Sequence, residues 1–124
     1  MRPTILEMEA FGSYQNHTVL DFTKLKSDLF LITGSTGAGK TTIFDAIIFA
    51  LYGTFSGSER EARDMHSDAV SKSKDMQVKL SFIHHDKEYT VRRWLHFPKV
   101  RGREDAYGDP RPDAELKRPD GRAV

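Results

Sequence analysis

Gly34-Ser35-Thr36-Gly37-Ala38-Gly39-Lys40-Thr41 meets every fixed position of the pattern G-x-x-x-x-G-K-[ST]. The apolar run Leu29-Phe30-Leu31-Ile32 precedes it, and helix and core formers follow it to Tyr52. A strand, a glycine loop and a helix in that order leave few folds open. The glycines let successive N–H groups turn inward around phosphate oxygens, and the helix adds its positive end to the same anion. Lys40 can then place a point charge on the outer phosphates, and the Thr41 hydroxyl suits a magnesium ion that keeps most of its waters. A glycine turn that merely caps a helix would need neither the lysine nor the threonine.

The rest of the chain is read around this loop. At 124 residues with 38% hydrophobic content it is of single-domain length and can bury a core. A net charge of +1 gives no global bias toward nucleic acid, so any such surface must be local. The absence of cysteine excludes disulfides and thiolate metal sites. The N-terminus lacks the apolar stretch of a secretory signal, and no run approaches the roughly 18 apolar residues of a span. The expectation is a cytoplasmic protein without membrane contact.

Alternation and turn residues predict two hairpins. The first runs from Ile5 to Phe22 around Gly12-Ser13-Tyr14-Gln15-Asn16. The second pairs Val78, Leu80 and Phe82 with Tyr89, Val91 and Arg93 around an exposed tip, His84-His85-Asp86-Lys87. Residues 29–33 read as a strand buried on both faces. A helix over 41–52 carries apolar residues round nearly its whole circumference, which predicts burial on all sides, with Gly53 as its cap. Residues 54–75 read as a mobile loop with short helical turns. Beyond residue 97, Pro98, Pro110, Pro112 and Pro119 with Gly102, Gly108 and Gly121 interrupt a mixed-charge stretch, predicting a loop or tail over 98–124. The expected architecture is α/β, with an ATP-binding lobe over 1–97.

With its loop and flanks laid out, the chain resembles the N-terminal end of bacterial SbcC-type exonuclease subunits, ATPases of the structural-maintenance-of-chromosomes class. The resemblance rests on Ala10-Phe11-Gly12-Ser13-Tyr14, Phe30-Leu31-Ile32-Thr33-Gly34, the run Thr36 to Ile47, Phe49-Ala50-Leu51-Tyr52-Gly53 and Tyr89-Thr90-Val91-Arg92-Arg93. It implies a P-loop NTPase half-head of ABC/SMC type that binds ATP and Mg2+ through Gly34, Ser35, Thr36, Gly37, Ala38, Gly39, Lys40, Thr41 and Thr42, with Thr41 on the metal. Ser13 and Tyr14 would lie beside the nucleotide, although as a plain turn they need no ligand. The implied partners are a C-terminal lobe of the same subunit, a second copy of the head, an SbcD-type metal-dependent nuclease and double-stranded DNA. The glutamine loop, coiled coil, signature motif and acidic strand of that class are not seen in these residues, and Gln77 does not replace the loop glutamine because it opens a strand. A free-standing nucleotide-binding fragment without turnover is the other expectation. A small P-loop kinase would need an acidic magnesium strand and a substrate lid, neither of which is visible.

Two further groups have two uses each. Asp45, one turn after Thr41, could support magnesium through water, but more commonly such a residue satisfies a local polar contact. Arg92, Arg93, Lys99, Arg101 and Arg103, with Trp94 and Phe97 between them, suit a phosphate backbone and stacked bases. The acidic residues that follow suit an ordinary solvated face equally.

Overall fold

The computed structural model describes residues 1–12, 14–24, 38–53, 65–67, 70–102 and 106–123. Among these residues five strands, β1 (Arg2–Glu9), β2 (Thr18–Asp21), β3 (Met76–His84), β4 (Lys87–His96) and β5 (Arg111–Lys117), form one sheet in the order β2-β1-β3-β4-β5. Every pairing among them is antiparallel. The expected strand over 29–33 lies outside the described residues, as does most of the loop over 54–75.

Both predicted hairpins are present. β1 and β2 pair Leu6 with Leu20, and β3 and β4 pair without interruption from Met76↔Leu95 to His84↔Lys87. At the second tip His85 and Asp86 both take positive φ, 51° and 61°. That is the two-residue turn whose twist matches the flanking strands.

Period-two alternation sorts the sheet into two faces. Leu6, Leu80, Val91 and Leu116 form one row across four strands, and the first three are buried. The opposite face is polar: Glu7, Lys79, Arg92 and Glu115 occupy the adjacent row. The helix α1 (Ala38–Tyr52) packs on the apolar face, and its Ile43, Ala46, Ile47, Phe49 and Ala50 join Leu6, Met8, Val78 and Leu80 in one core.

Two expectations change. The helix begins at Ala38, three residues earlier than predicted, and it is not buried on all sides: Phe44 is 54% and Tyr52 68% exposed. An apolar circumference does not say which side a sheet will cover, and this sheet covers one. The stretch expected as a loop or tail over 98–124 contains β5, which pairs along β4 from Thr90↔Lys117 to His96↔Arg111. Its sequence, RPDAELK, has little alternation, and its only partly buried positions are Glu115 and Leu116. Backbone pairing to β4 supplies the order, and Pro112 is tolerated because β5 is an edge strand.

Candidate phosphate-binding site

The last four positions of the glycine pattern lie within α1. Ala38, Gly39, Lys40, Thr41 and Thr42 are the first five residues of the helix, so the backbone N–H groups at its start lack intrahelical acceptors. No acidic residue occupies the first turn. The positive end of a 15-residue helix is therefore left without a carboxylate of its own, where an anion is favoured. That donor set would fit a phosphate chain, for which a lysine and a hydroxyl-bearing threonine at consecutive positions would offer a cation and a hard oxygen ligand to magnesium. Gly34, Ser35, Thr36 and Gly37 lie outside the described residues. Among the described residues no group of three or more His, Asp or Glu side chains is arranged to hold a metal.

Asp45 is buried, one helical turn past Thr41. Ser13 lies outside the described residues. Tyr14 is half-buried against the core, in a turn closed by reciprocal backbone bonds: Phe11 N–H donates to Tyr14 O at 3.0 Å and Tyr14 N–H to Phe11 O at 2.9 Å. A second segment clamps the same turn. Gly12 N–H donates to Met65 O at 2.6 Å and Ser67 N–H to Ala10 O at 2.9 Å, while His66 is bridged to Phe11. The Phe11 ring packs on Phe49, centroids 6.1 Å apart, so the described anchor of this turn is the later half of α1.

Among the described residues, the basic stretch is divided between the two faces of the sheet at β4. Arg92 and Arg93, adjacent on β4, project to opposite faces. Arg92 lies over the Trp94 ring at 4.3 Å and its Nε donates to Gln77 Oε1 at 3.1 Å. Arg93 turns to the apolar face, where its Nε donates to Ala50 O at 2.9 Å and its Nη2 reaches Leu51 O at 3.4 Å. Lys99 and Arg101 are exposed on a separate excursion closed by the Lys99↔Tyr107 bridge, and Arg103 lies outside the described residues. Strand alternation alone could have separated Arg92 from Arg93; the helix carbonyls that receive Arg93 are some 42 to 43 positions away and leave no local signal.

A polar network that sequence reasoning missed crosses the outer face. Glu9 accepts from Lys74 Nζ and from Gln77 Nε2, each at 2.9 Å, and Gln77 passes the chain on to Arg92. The Lys74 hydrogen bond holds the Glu9 carboxyl below its ordinary range; partial burial opposes this, and Gln77 and the charges of Lys74 and His17 add to the lowering. Gln77 is thus a structural link within β3.

Comparison with known proteins gives a consistent answer. The AAA domain family matches residues 6–112, from β1 through β4 into the start of β5. The SbcC subunit of the nuclease SbcCD from Vibrio cholerae is 42% identical over 105 residues, which is 82% of this chain and 10% of that protein. The protein of the same name from Staphylococcus saprophyticus is 38% identical over 109 residues, 87% of this chain and 11% of its own. That from Lactococcus lactis is 43% identical over 94 residues, 75% and 9% respectively. The chain therefore spans about a tenth of the length of these relatives. The resemblance read from the glycine loop and its flanks is borne out.

Proposed function

Because this chain belongs to the AAA domain family, we propose that it is the N-terminal ATP-binding part of the ATPase subunit of an SbcCD-type nuclease acting on double-stranded DNA in repair and recombination. The observation that carries the proposal is the helix α1, which has no acidic residue in its first turn and so leaves its positive end without a carboxylate of its own, where an anion is favoured. In this reading the amides of Gly34, Ser35, Thr36, Gly37, Ala38 and Gly39 cradle the phosphates, Lys40 places its ammonium on the outer ones, and Thr41 ligates Mg2+, with Thr42 beside it. Ser13 and Tyr14 contact the nucleotide from the turn that Met65 and Ser67 hold in place.

The proposed lobe is a half-head of ABC/SMC type, a cytoplasmic protein that works with a C-terminal lobe of the same subunit, a second head and an SbcD-type nuclease. Phosphoryl transfer also needs a group that orients the attacking water. The resemblance assigns that group to the acidic strand of the C-terminal lobe and the signature motif to the second head, so turnover is proposed to require both. Of the candidate DNA contacts, Lys99 and Arg101 are exposed, and Arg103 adjoins them in sequence. Arg92 has its Nε committed to Gln77, and Arg93 has its Nε and Nη2 committed to the end of α1.

Calorimetric titration with Mg-ATP tests the proposal. The wild-type chain is expected to bind, and Lys40→Ala to bind at least about tenfold more weakly, since a charge-assisted contact is worth ~1.5–3 kcal/mol. Equal affinities would refute the assignment of Lys40.

A further inference from the structure

The electrostatics of α1 are asymmetric. Its first turn has no acidic residue and its last turn no basic one, so neither end is balanced from within the helix. At the start this leaves room for an anion. At the far end the compensation comes from another element, because Arg93 of β4 brings its guanidinium to the carbonyls of Ala50 and Leu51. With Gly53 N–H donating to Phe49 O at 2.7 Å, three consecutive terminal carbonyls have donors.

We propose that Arg93 is a positioning residue for the phosphate-binding loop: by gripping the C-terminal end of α1 it sets the angle at which the helix presents its N-terminus. This rests on the loop being the nucleotide site. Two observations favour a strut over an ordinary cap. First, the contact stands at the edge of an open groove of about 390 Å³, bounded by Leu51, Phe82, Val91, Ala114 and Leu116. Close packing therefore does not fill the space between this end of the helix and β5, and Arg93 is part of its lining. Second, Gly53 lies against the same group. Its φ is +73°, which strains any side chain there, and a Cβ would lie 2.9 Å from Arg93 Nη1 and 3.4 Å from Cζ, so the guanidinium tip rests directly on the turn that ends the helix.

The lever is long enough to matter. A helix of 15 residues is about 22 Å from end to end, and a tilt of about 5° about its midpoint moves the first turn by about 1 Å. A shift of that size misaligns N–H donors whose hydrogen bonds tolerate only a few tenths of an ångström. Charge alone would not carry the effect, since a cation at one end and phosphate at the other are separated by more than two Debye lengths at physiological salt, each about 8 Å.

The test is a titration of the whole chain with a fluorescent N-methylanthraniloyl derivative of ATP in magnesium, at a temperature where circular dichroism shows each variant folded. Arg93→Ala is expected to bind about tenfold more weakly than wild type. Arg93→Lys, which restores the cation without the fork, should fall between them. A lowered melting temperature with unchanged affinity in Arg93→Ala overturns the proposal and leaves only a helix cap. Failure of the wild type to bind removes the nucleotide reading itself, and this proposal falls with it.

Discussion

Replacing Ile47 and Phe44 by alanine, one at a time, separates a helix buried on one face from a helix buried all round. The two side chains sit three residues apart on α1, yet Ile47 is 9% exposed and Phe44 54%. Ile47→Ala removes three carbons from the core that α1 shares with β1 and β3. At ~0.8 kcal/mol per carbon this is about 2.4 kcal/mol of transfer free energy. A residual cavity brings the cost to about 3 kcal/mol, inside the ~2–5 kcal/mol range of such truncations. Phe44→Ala forfeits only the buried part of a ring, about 1 kcal/mol, and the better helix propensity of alanine offsets about half of that. For a domain of this size the melting temperature should fall by roughly 12 °C in the first variant and by roughly 2 °C in the second. Thermal and urea unfolding followed by far-ultraviolet circular dichroism read both. Equal losses would refute the one-sided packing and restore the expectation, drawn from the apolar circumference, that both faces are covered.

Two further outcomes follow from the outer face and the hairpin tip. The folded state holds the Glu9 carboxyl below its ordinary value of 4.5, so its contribution to stability is present above about that pH and is lost as pH falls through the lower, folded value. Glu9→Gln should therefore flatten the drop in urea midpoint between about pH 5 and about pH 3, and 0.5 M salt should shrink the difference because Lys74 is partly exposed; parallel curves at low salt would remove the Lys74 contact as its cause. At the tip, His85 and Asp86 both hold positive φ, so the pair His85→Asn and Asp86→Gly should stabilise by about 1 kcal/mol, and an unchanged or lower melting temperature would mean that the turn is not of this type.

Legibility in this chain follows how local each signal is. Both hairpins were readable because the physical requirement sits within a few consecutive residues: apolar residues at every second position around a turn. β5 was not, because Arg111 to Lys117 becomes a strand only through its pairing with β4, and a sequence with two prolines nearby and mixed charges advertises none of that. The exposed side of α1 was hidden for the opposite reason, since Phe44, Ile47 and Ile48 are equally apolar and only the position of the sheet distinguishes them. Arg93 combines both difficulties. In sequence it belongs to a basic run that suggested a phosphate backbone; in the fold, one step of strand alternation from Arg92 turns it inward to Ala50 and Leu51. The nearest neighbours of such a residue in sequence mislead about its partner, because β4 lends its two faces to different purposes: Arg92 to the polar network of Glu9 and Gln77, and Arg93 to the far end of the helix that carries the loop.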